Sequence, residues 1–478
     1  LHYYIHTYFL MLLKPSPKLA DNKKKSTQSW IAILMLICFL SLGILLSPGL
    51  VFLAFPACSF IVGIYLYFKD PPFYVGFVFW MWFIGPLIRR LIDYRVGYLT
   101  LGPFTFTPFL VTVVTLFTFY KHLPQLFRKG NLPFFLCFGT VTYGLSLGLI
   151  QNPLVYVLNS LGWLSSLLFG FHLYVNWRYY PQYRQVIQRT FFWGLLLMGI
   201  YGVIQFCIAP EWDRFWIINI DKGSFGKPEP FGIRTSSTME SAHSFGYALT
   251  TGLFILFGDR QNIWRYPVMV IALLALLLTQ ARGVWLGLII GGMILILSLK
   301  PNLQIRALIG LGILSLLVIP LITMEPFSGI ILERFDTFTN INNDGSLNAR
   351  LDGYNRWVST ALSEIIGRGS GFQIVDRSIG SFDGTLLPML LIFGWIGIIP
   401  YFSGLFLLLA NLFQTKAAGI SDSFTIRCRS IVFGLFAQIA FSYLFVGAMG
   451  VFFWGFLGLG LASQKYNEKQ IRLQSELT

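Results

Sequence analysis

Arg234 in RTSSTMES and Arg282 in TQARG each stand where an apolar run begins, and Arg350 and Arg356 stand in NARLDGYNRW. The last two belong to the longest polar interval of the chain, Glu325 to Asp383, which has five Arg and no Lys against eight carboxylates. A guanidinium stays charged and offers a planar fork that takes two phosphate oxygens at once, whereas a lysine ammonium is a point charge. Arginines gathered on one side of a membrane therefore suit an anionic headgroup, and a lipid diphosphate fits that description. Taken singly, each is equally an ordinary surface group paired with a nearby carboxylate. Asp352 and Arg356, four residues apart, can pair in this way along a helix.

What must position these residues is a bundle of membrane helices. The chain has 478 residues, 55% hydrophobic and 17% aromatic, with only 12% charged. A soluble domain carries about 25% charged residues, so this composition predicts an all-α, polytopic transmembrane bundle of about 12–14 spans. The net charge of +15 argues for nucleic acid only if the basic residues cluster. They are instead spread over short connections between apolar runs, so no nucleic-acid partner is expected. Cys38, Cys58, Cys137, Cys207 and Cys428 lie in or beside apolar runs and none forms a CxxC pair. Neither a disulfide framework nor a zinc site is suggested.

The expected spans are 30–46, 50–68, 72–88, 107–120, 132–150, 153–175, 190–208, 242–258, 266–280, 283–299, 305–323, 385–410, 430–446 and 448–463. Several fall short of the roughly 20 residues of an ideal span, which allows re-entrant segments. Residues 1–29 form an N-terminal segment with a basic block, and the initial Leu points to an alternative start or an overextended reading frame. Residues 30–464 form one bundle with long loops at 209–241 and 324–384, and 465–478 form a tail. With both termini cytoplasmic, the inner connections, such as KHLPQLFRKG, NWRYYPQYRQVIQR and KPNLQIR, are basic and the two long outer loops are mixed in sign. This is the positive-inside pattern of a multi-pass plasma (inner) membrane protein. RRLIDYR (Arg89 to Arg95) breaks it by falling outside. The outer arginines then include Arg89, Arg90, Arg95, Arg334, Arg368 and Arg377 besides the four named first.

No Asp or Glu falls in the middle of an expected span, which argues against an ion- or proton-coupled transporter. In the long loop Leu351, Tyr354, Trp357, Val358, Ala361, Leu362 and Ile365 recur at spacings of three and four, which predicts an amphipathic helix stopped by Gly367. Such a helix lies on the membrane surface or roofs the bundle. GRGSGF after it is a Gly-rich turn whose backbone N–H groups could cradle an anion, a weak signal by itself.

Four pieces in order carry a resemblance: Arg234-Thr-Ser-Ser-Thr-Met-Glu-Ser ahead of a span; Thr-Gln-Ala-Arg282-Gly between two spans; Arg356 with Gly367 following in the long loop; and Asp383-Gly384, nine residues, then Gly394-Trp-Ile-Gly397 at the loop's exit. With these the chain resembles, over roughly residues 70 to 460, the O-antigen ligase and O-antigen polymerase superfamily of bacterial surface-polysaccharide enzymes. The ligase signature begins with His where this chain has Asp383, a departure that favours a polymerase or related glycan transferase.

The resemblance implies a glycosyltransferase acting at the outer face on a glycan linked to undecaprenyl diphosphate, with no cofactor and no metal. An acceptor hydroxyl attacks the anomeric carbon and the lipid diphosphate leaves. Arg234 and Arg282, with Arg350 or Arg356 from the roof, would bind the diphosphate and stabilise its growing charge. Asp383 is the first candidate for the base, followed by Glu240 and His243. For Asp383 the plain alternative is a helix cap, and for His243 a hydrogen-bonded helix residue. The implied partners are the lipid-linked glycan, membrane lipid and polysaccharide-export proteins. The rival functions are a flippase for lipid-linked oligosaccharide, which needs charge along a path through the membrane, and a structural membrane partner of an export machine.

Overall fold

The computed structural model describes residues 17–99, 102–127, 129–149, 153–220, 225–257, 263–325, 328–329, 345–372, 384–414 and 422–476. Its described residues form helices and no strand, with one isolated antiparallel bridge between Gly226 and Ile233. In chain order the helices are α1 (Pro17–Leu46), α2 (Pro48–Lys69), α3 (Pro71–Val96), α4 (Thr107–Val113), α5 (Leu116–Leu126), α6 (Leu132–Leu149), α7 (Pro153–Val175), α8 (Tyr180–Ile208) and α9 (Glu211–Ile220). They continue with α10 (Ala242–Phe257), α11 (Arg265–Leu278), α12 (Arg282–Leu297), α13 (Pro301–Thr323), α14 (Gly345–Ser363), α15 (Leu386–Phe413), α16 (Ser423–Phe436) and α17 (Gly447–Ser475).

Among the described residues seven helices are long and apolar enough to cross a membrane, and α10, α11 and α12 are shorter apolar helices. The chain is a multi-pass membrane protein. Its helices sort by how much of themselves they hide: 83% of the apolar window of α17 is buried, against 11% for α1. So α17 is the axis and α1 a peripheral helix with Leu42, Leu45 and Leu46 turned outward. Around the axis lies an aromatic core in which Phe79, Phe191 and Phe456 meet at 5.1–6.1 Å between ring centroids. Helix α7 lies closest. A Cβ on Gly170 would stand 2.4 Å from the Trp454 carbonyl and one on Gly458 2.0 Å from the Gly170 carbonyl, so only glycines permit this approach, the usual device for close packing in lipid.

The structure departs from the expected spans in three places. The span expected at 107–120 is two short helices, α4 and α5, bent by 44°. Thr118 beyond the bend bonds both Tyr67 (2.7 Å) and the buried His172 (2.6 Å), which ties the bent pair to α2 and α7. The span expected at 430–446 is helical only to Phe436, and 437–446 run as turns. Thr385 satisfies these turns: its N–H donates to Ile439 O (2.9 Å), its hydroxyl donates to Ser442 O (2.5 Å), and Leu444 N–H donates back to the same hydroxyl (2.9 Å).

The third break is at Gly394, inside α15, where φ is 61°. The broken turn leaves the carbonyls of Leu391 and Ile392 and the N–H groups of Trp395 and Ile396 without helical partners. The strip 364–369 supplies them. Arg368 N–H donates to Leu391 O (2.9 Å) and Gly369 N–H to Ile392 O (2.9 Å), while Trp395 and Ile396 donate to the carbonyls of Glu364 (3.2 Å) and Ile365 (3.1 Å). An unsatisfied backbone group in a bilayer costs several kcal/mol, so strip and break depend on each other. They cross at two glycines. Gly367 has φ +93°, and a Cβ there would stand 2.5 Å from Ile392 O; one on Gly394 would stand 2.3 Å from Ile365 O. The amphipathic helix therefore stops at Ser363, before Gly367, because the chain must leave it extended to pair with α15. The N–H groups of Arg368, Gly369 and Ser370 are bonded to protein carbonyls, so this stretch of the Gly-rich turn is not an anion cradle.

Gly367→Ala and Gly394→Ala should each lose more than the roughly 1–3 kcal/mol of left-handed backbone strain, since a backbone clash adds to it. A thermal-unfolding scan of the detergent-purified protein checks this; wild-type stability in either variant would refute the crossing.

Candidate functional site

The connections fall into two groups at opposite ends of the bundle, the same groups that the charge pattern separates. Residues 209–220 and 225–241, the α11–α12 turn, the Thr385 turns and α14 gather at one end, called here the loop end. Arg184, Arg265, Arg306 and Asp422 gather at the other.

At the loop end the segment Arg234–Met239 folds into the bundle, and Thr235 through Met239 are buried. Polar groups so placed need partners. Gln205, near the end of α8, accepts from Ser236 N–H (3.0 Å) and Ser237 N–H (2.7 Å). The hydroxyl of Ser237 donates to Met198 O and that of Thr238 to Phe83 O, both at 2.6 Å. Ser237 itself takes φ +53°.

Arg90 fixes the segment's carbonyls. This guanidinium, 1% exposed, pairs with the fully buried Asp213 at 2.5 Å and donates to the carbonyls of Ser237 and of Met239 (3.3 Å). The Trp216 ring lies over it at 5.7 Å. Asp213 also accepts from Tyr201 (2.7 Å), whose hydroxyl accepts from Trp212 Nε1 (2.6 Å). The exception to the positive-inside pattern thus has a structural use. Arg89 beside it bonds Asp93 (3.3 Å) and Leu99 O (2.8 Å).

Held this way, Arg234 reaches the α11–α12 turn. Its Nε donates to Thr279 O (2.8 Å), and Thr235 N–H donates to Leu278 O (3.2 Å). The turn passes through Gln280 at φ +53°, and Arg282 is the first residue of α12. Arg234 and Arg282, both half-buried, therefore flank one turn. The next residue, Gly283, backs onto Phe441 in the 437–446 turns, where an added Cβ would lie 3.2 Å from the Phe441 Cβ. The same turns meet Gly384: a Cβ there would lie 3.0 Å from Ala440 O and 2.2 Å from the Tyr354 hydroxyl of α14. The turns thus link the Arg282 segment to the amphipathic helix. On that helix Ala361 is buried and Tyr354 and Trp357 half-buried, while Val358 and Leu362 stay exposed. This suits a roof with one face toward lipid.

Of the expected site residues, Arg234 and Arg282 come together. Arg356 is exposed on α14, and Arg350 lies on the same helix with its side chain outside the described residues. His243 is half-buried in the first turn of α10, and Glu240 is exposed just before it. Ser241 caps that helix by accepting from Ser244 N–H (3.1 Å). Asp383, like Arg334 and Arg377, lies outside the described residues. Among the described residues no three His, Cys, Asp or Glu converge; the groups brought to the turn are guanidinium donors. Sequence reasoning missed Arg90, Asp213, Tyr201 and Gln205 as positioning residues. The one signal was the pair Arg89-Arg90 on the wrong side of the charge pattern. No protein-family model matches the chain and no curated protein matches it.

Asp213→Ala strands a buried guanidinium and should cost about 3–5 kcal/mol, whereas replacing both partners by apolar residues (Arg90→Met with Asp213→Leu) should cost less. Denaturant unfolding in micelles measures both; a single variant within 1 kcal/mol of wild type would contradict the role given to this pair.

Proposed function

We propose that the protein is a glycan polymerase- or ligase-type glycosyltransferase that uses a polyprenyl-diphosphate-linked oligosaccharide as donor. The observation that carries this is the bond from Arg234 Nε to Thr279 O (2.8 Å), which brings two arginine-bearing segments, far apart in sequence, to one turn at the loop end. In this reading Arg234 and Arg282 grip the diphosphate. The acceptor hydroxyl forms a bond to the anomeric carbon as the carbon–oxygen bond to the diphosphate breaks. The leaving group takes the electron pair, and the fixed guanidinium groups stabilise the charge that grows on it. The hydroxyl proton passes to a base for which Asp383, Glu240 and His243 remain the candidates. Helix α14, with Arg350 and Arg356, roofs the site. The membrane is the plasma membrane and the loop end its outer side, on the strength of the basic connections at the opposite end.

The described core between the two ends favours this reading over a flippase. It is aromatic and aliphatic, with Phe79, Phe83, Phe191, Phe452 and Phe456 in contact, and offers no run of charge for an anionic headgroup to follow.

Deletion of the gene, complemented with Arg234→Ala or Arg282→Ala at matched expression, tests the proposal. Each variant should lose about 10²–10³-fold in activity, seen as loss of long glycan with single repeat units persisting for a polymerase, or as long glycan held on the lipid carrier for a ligase. Arg282→Lys should recover little, because a point charge does not replace the fork. Wild-type glycan in both alanine variants would defeat the assignment.

A further inference from the structure

A cavity of about 1160 Å³ opens at the end of the bundle opposite the proposed site. Its described lining residues carry four arginines, Arg184, Arg265, Arg306 and Arg427, against one carboxylate, Asp422. That carboxylate is heavily engaged. It accepts from Tyr180 (2.5 Å), from Arg184 at 3.1 and 3.3 Å, and from Phe424 N–H (3.2 Å) as the cap of α16. Arg427 is 2% exposed, donates to the carbonyls of Ile255 (2.8 Å) and Ser423 (3.2 Å), and makes no ion pair among the described residues. Arg184 and Arg427 also stand over the same ring, Phe424, at 5.5 and 5.1 Å. Two guanidinium groups thus share one ring, the carboxylate beside them is paired with Arg184 and not with Arg427 among the described residues, and Arg306 stands exposed at the rim. Positive charge held this close to an apolar bundle is costly unless an anion offsets it.

Gln185, Gln188, Ser423 and Asn467 are polar, and the wall has an apolar stretch beside them. Met269 of α11, Leu295 of α12 and Ala307 of α13 line it, and Leu299 stands between the last two helices. A free phosphate would leave this surface wet, whereas a lipid would cover it with chain and present its phosphate to the arginines. Basic pockets between membrane helices at a cytoplasmic face take lipid headgroups for this reason. We infer that this cavity binds the phosphate of an anionic membrane lipid, with its apolar chain against α11–α13. The inference is independent of the transferase reading, since it concerns the other end of the molecule.

The full chain, delipidated in detergent, is titrated with mixed micelles containing phosphatidylglycerol or phosphatidylcholine, and separately with inorganic phosphate, reading affinity by thermophoresis and the shift in melting temperature. Phosphatidylglycerol should bind saturably and raise the melting temperature. Arg306→Gln should weaken it about fivefold, and Arg265→Gln with Arg306→Gln about 25-fold, at roughly a factor of five for each charge removed. Arg472→Gln, exposed on the tail of α17 and outside the cavity, should bind as the parent does. Unchanged binding in the double variant, or equal binding of phosphatidylcholine, would overturn the site. An equal effect of inorganic phosphate at the same concentration, lost in the double variant, would overturn the lipid as its occupant.

Discussion

The loop end depends on one buried guanidinium. Arg90 neutralises Asp213 and fixes the carbonyls of Ser237 and Met239, so the segment after Arg234 can enter the bundle without stranding its polar backbone. Gln205 completes the arrangement from α8. This anchoring and the bond from Thr235 N–H to Leu278 O together bring Arg234 to Thr279. Arg89, Arg90 and Arg234 all bond within the fold at this end; the proposed function asks Arg234 and Arg282 to meet an anionic ligand as well.

The same accounting explains why the long loop is part of the bundle and not a free appendage. In a bilayer a broken helix is tolerated only where protein satisfies the exposed backbone. The break at Gly394 is satisfied by residues 364–369, and the turns after Phe436 by Thr385. Both supports come from the polar interval or its exit, which ties the roof helix to the spans beneath. Any movement of α14 is therefore coupled to α15.

Much of this could be read from the sequence, for physical reasons. Thirteen of the fourteen expected spans are helical over most of their length, because lipid-facing and core-facing positions are both apolar and hydropathy sums them without needing to know which is which. The amphipathic helix was legible because Tyr354, Trp357 and Ala361 keep helical spacing. Breaks were not. Residues 437–446 and Gly394 lie in runs as apolar as any span, and what makes them non-helical is a hydrogen-bond partner distant in sequence. Arg234 and Arg282 could be expected to meet, but the agent that places Arg234, an ion pair between residues 90 and 213, left only an anomaly of charge as its trace.

The central claim is that Arg234 and Arg282 form one diphosphate site. The most direct measurement is a double-mutant cycle on the affinity of the purified protein for a polyprenyl diphosphate, with Arg234→Ala, Arg282→Ala and both together. Two groups on one ligand should couple, so the double variant should lose less than the sum of the single losses, by more than about 0.5 kcal/mol. Single losses that simply add, or an affinity unmoved by either substitution, would contradict the account.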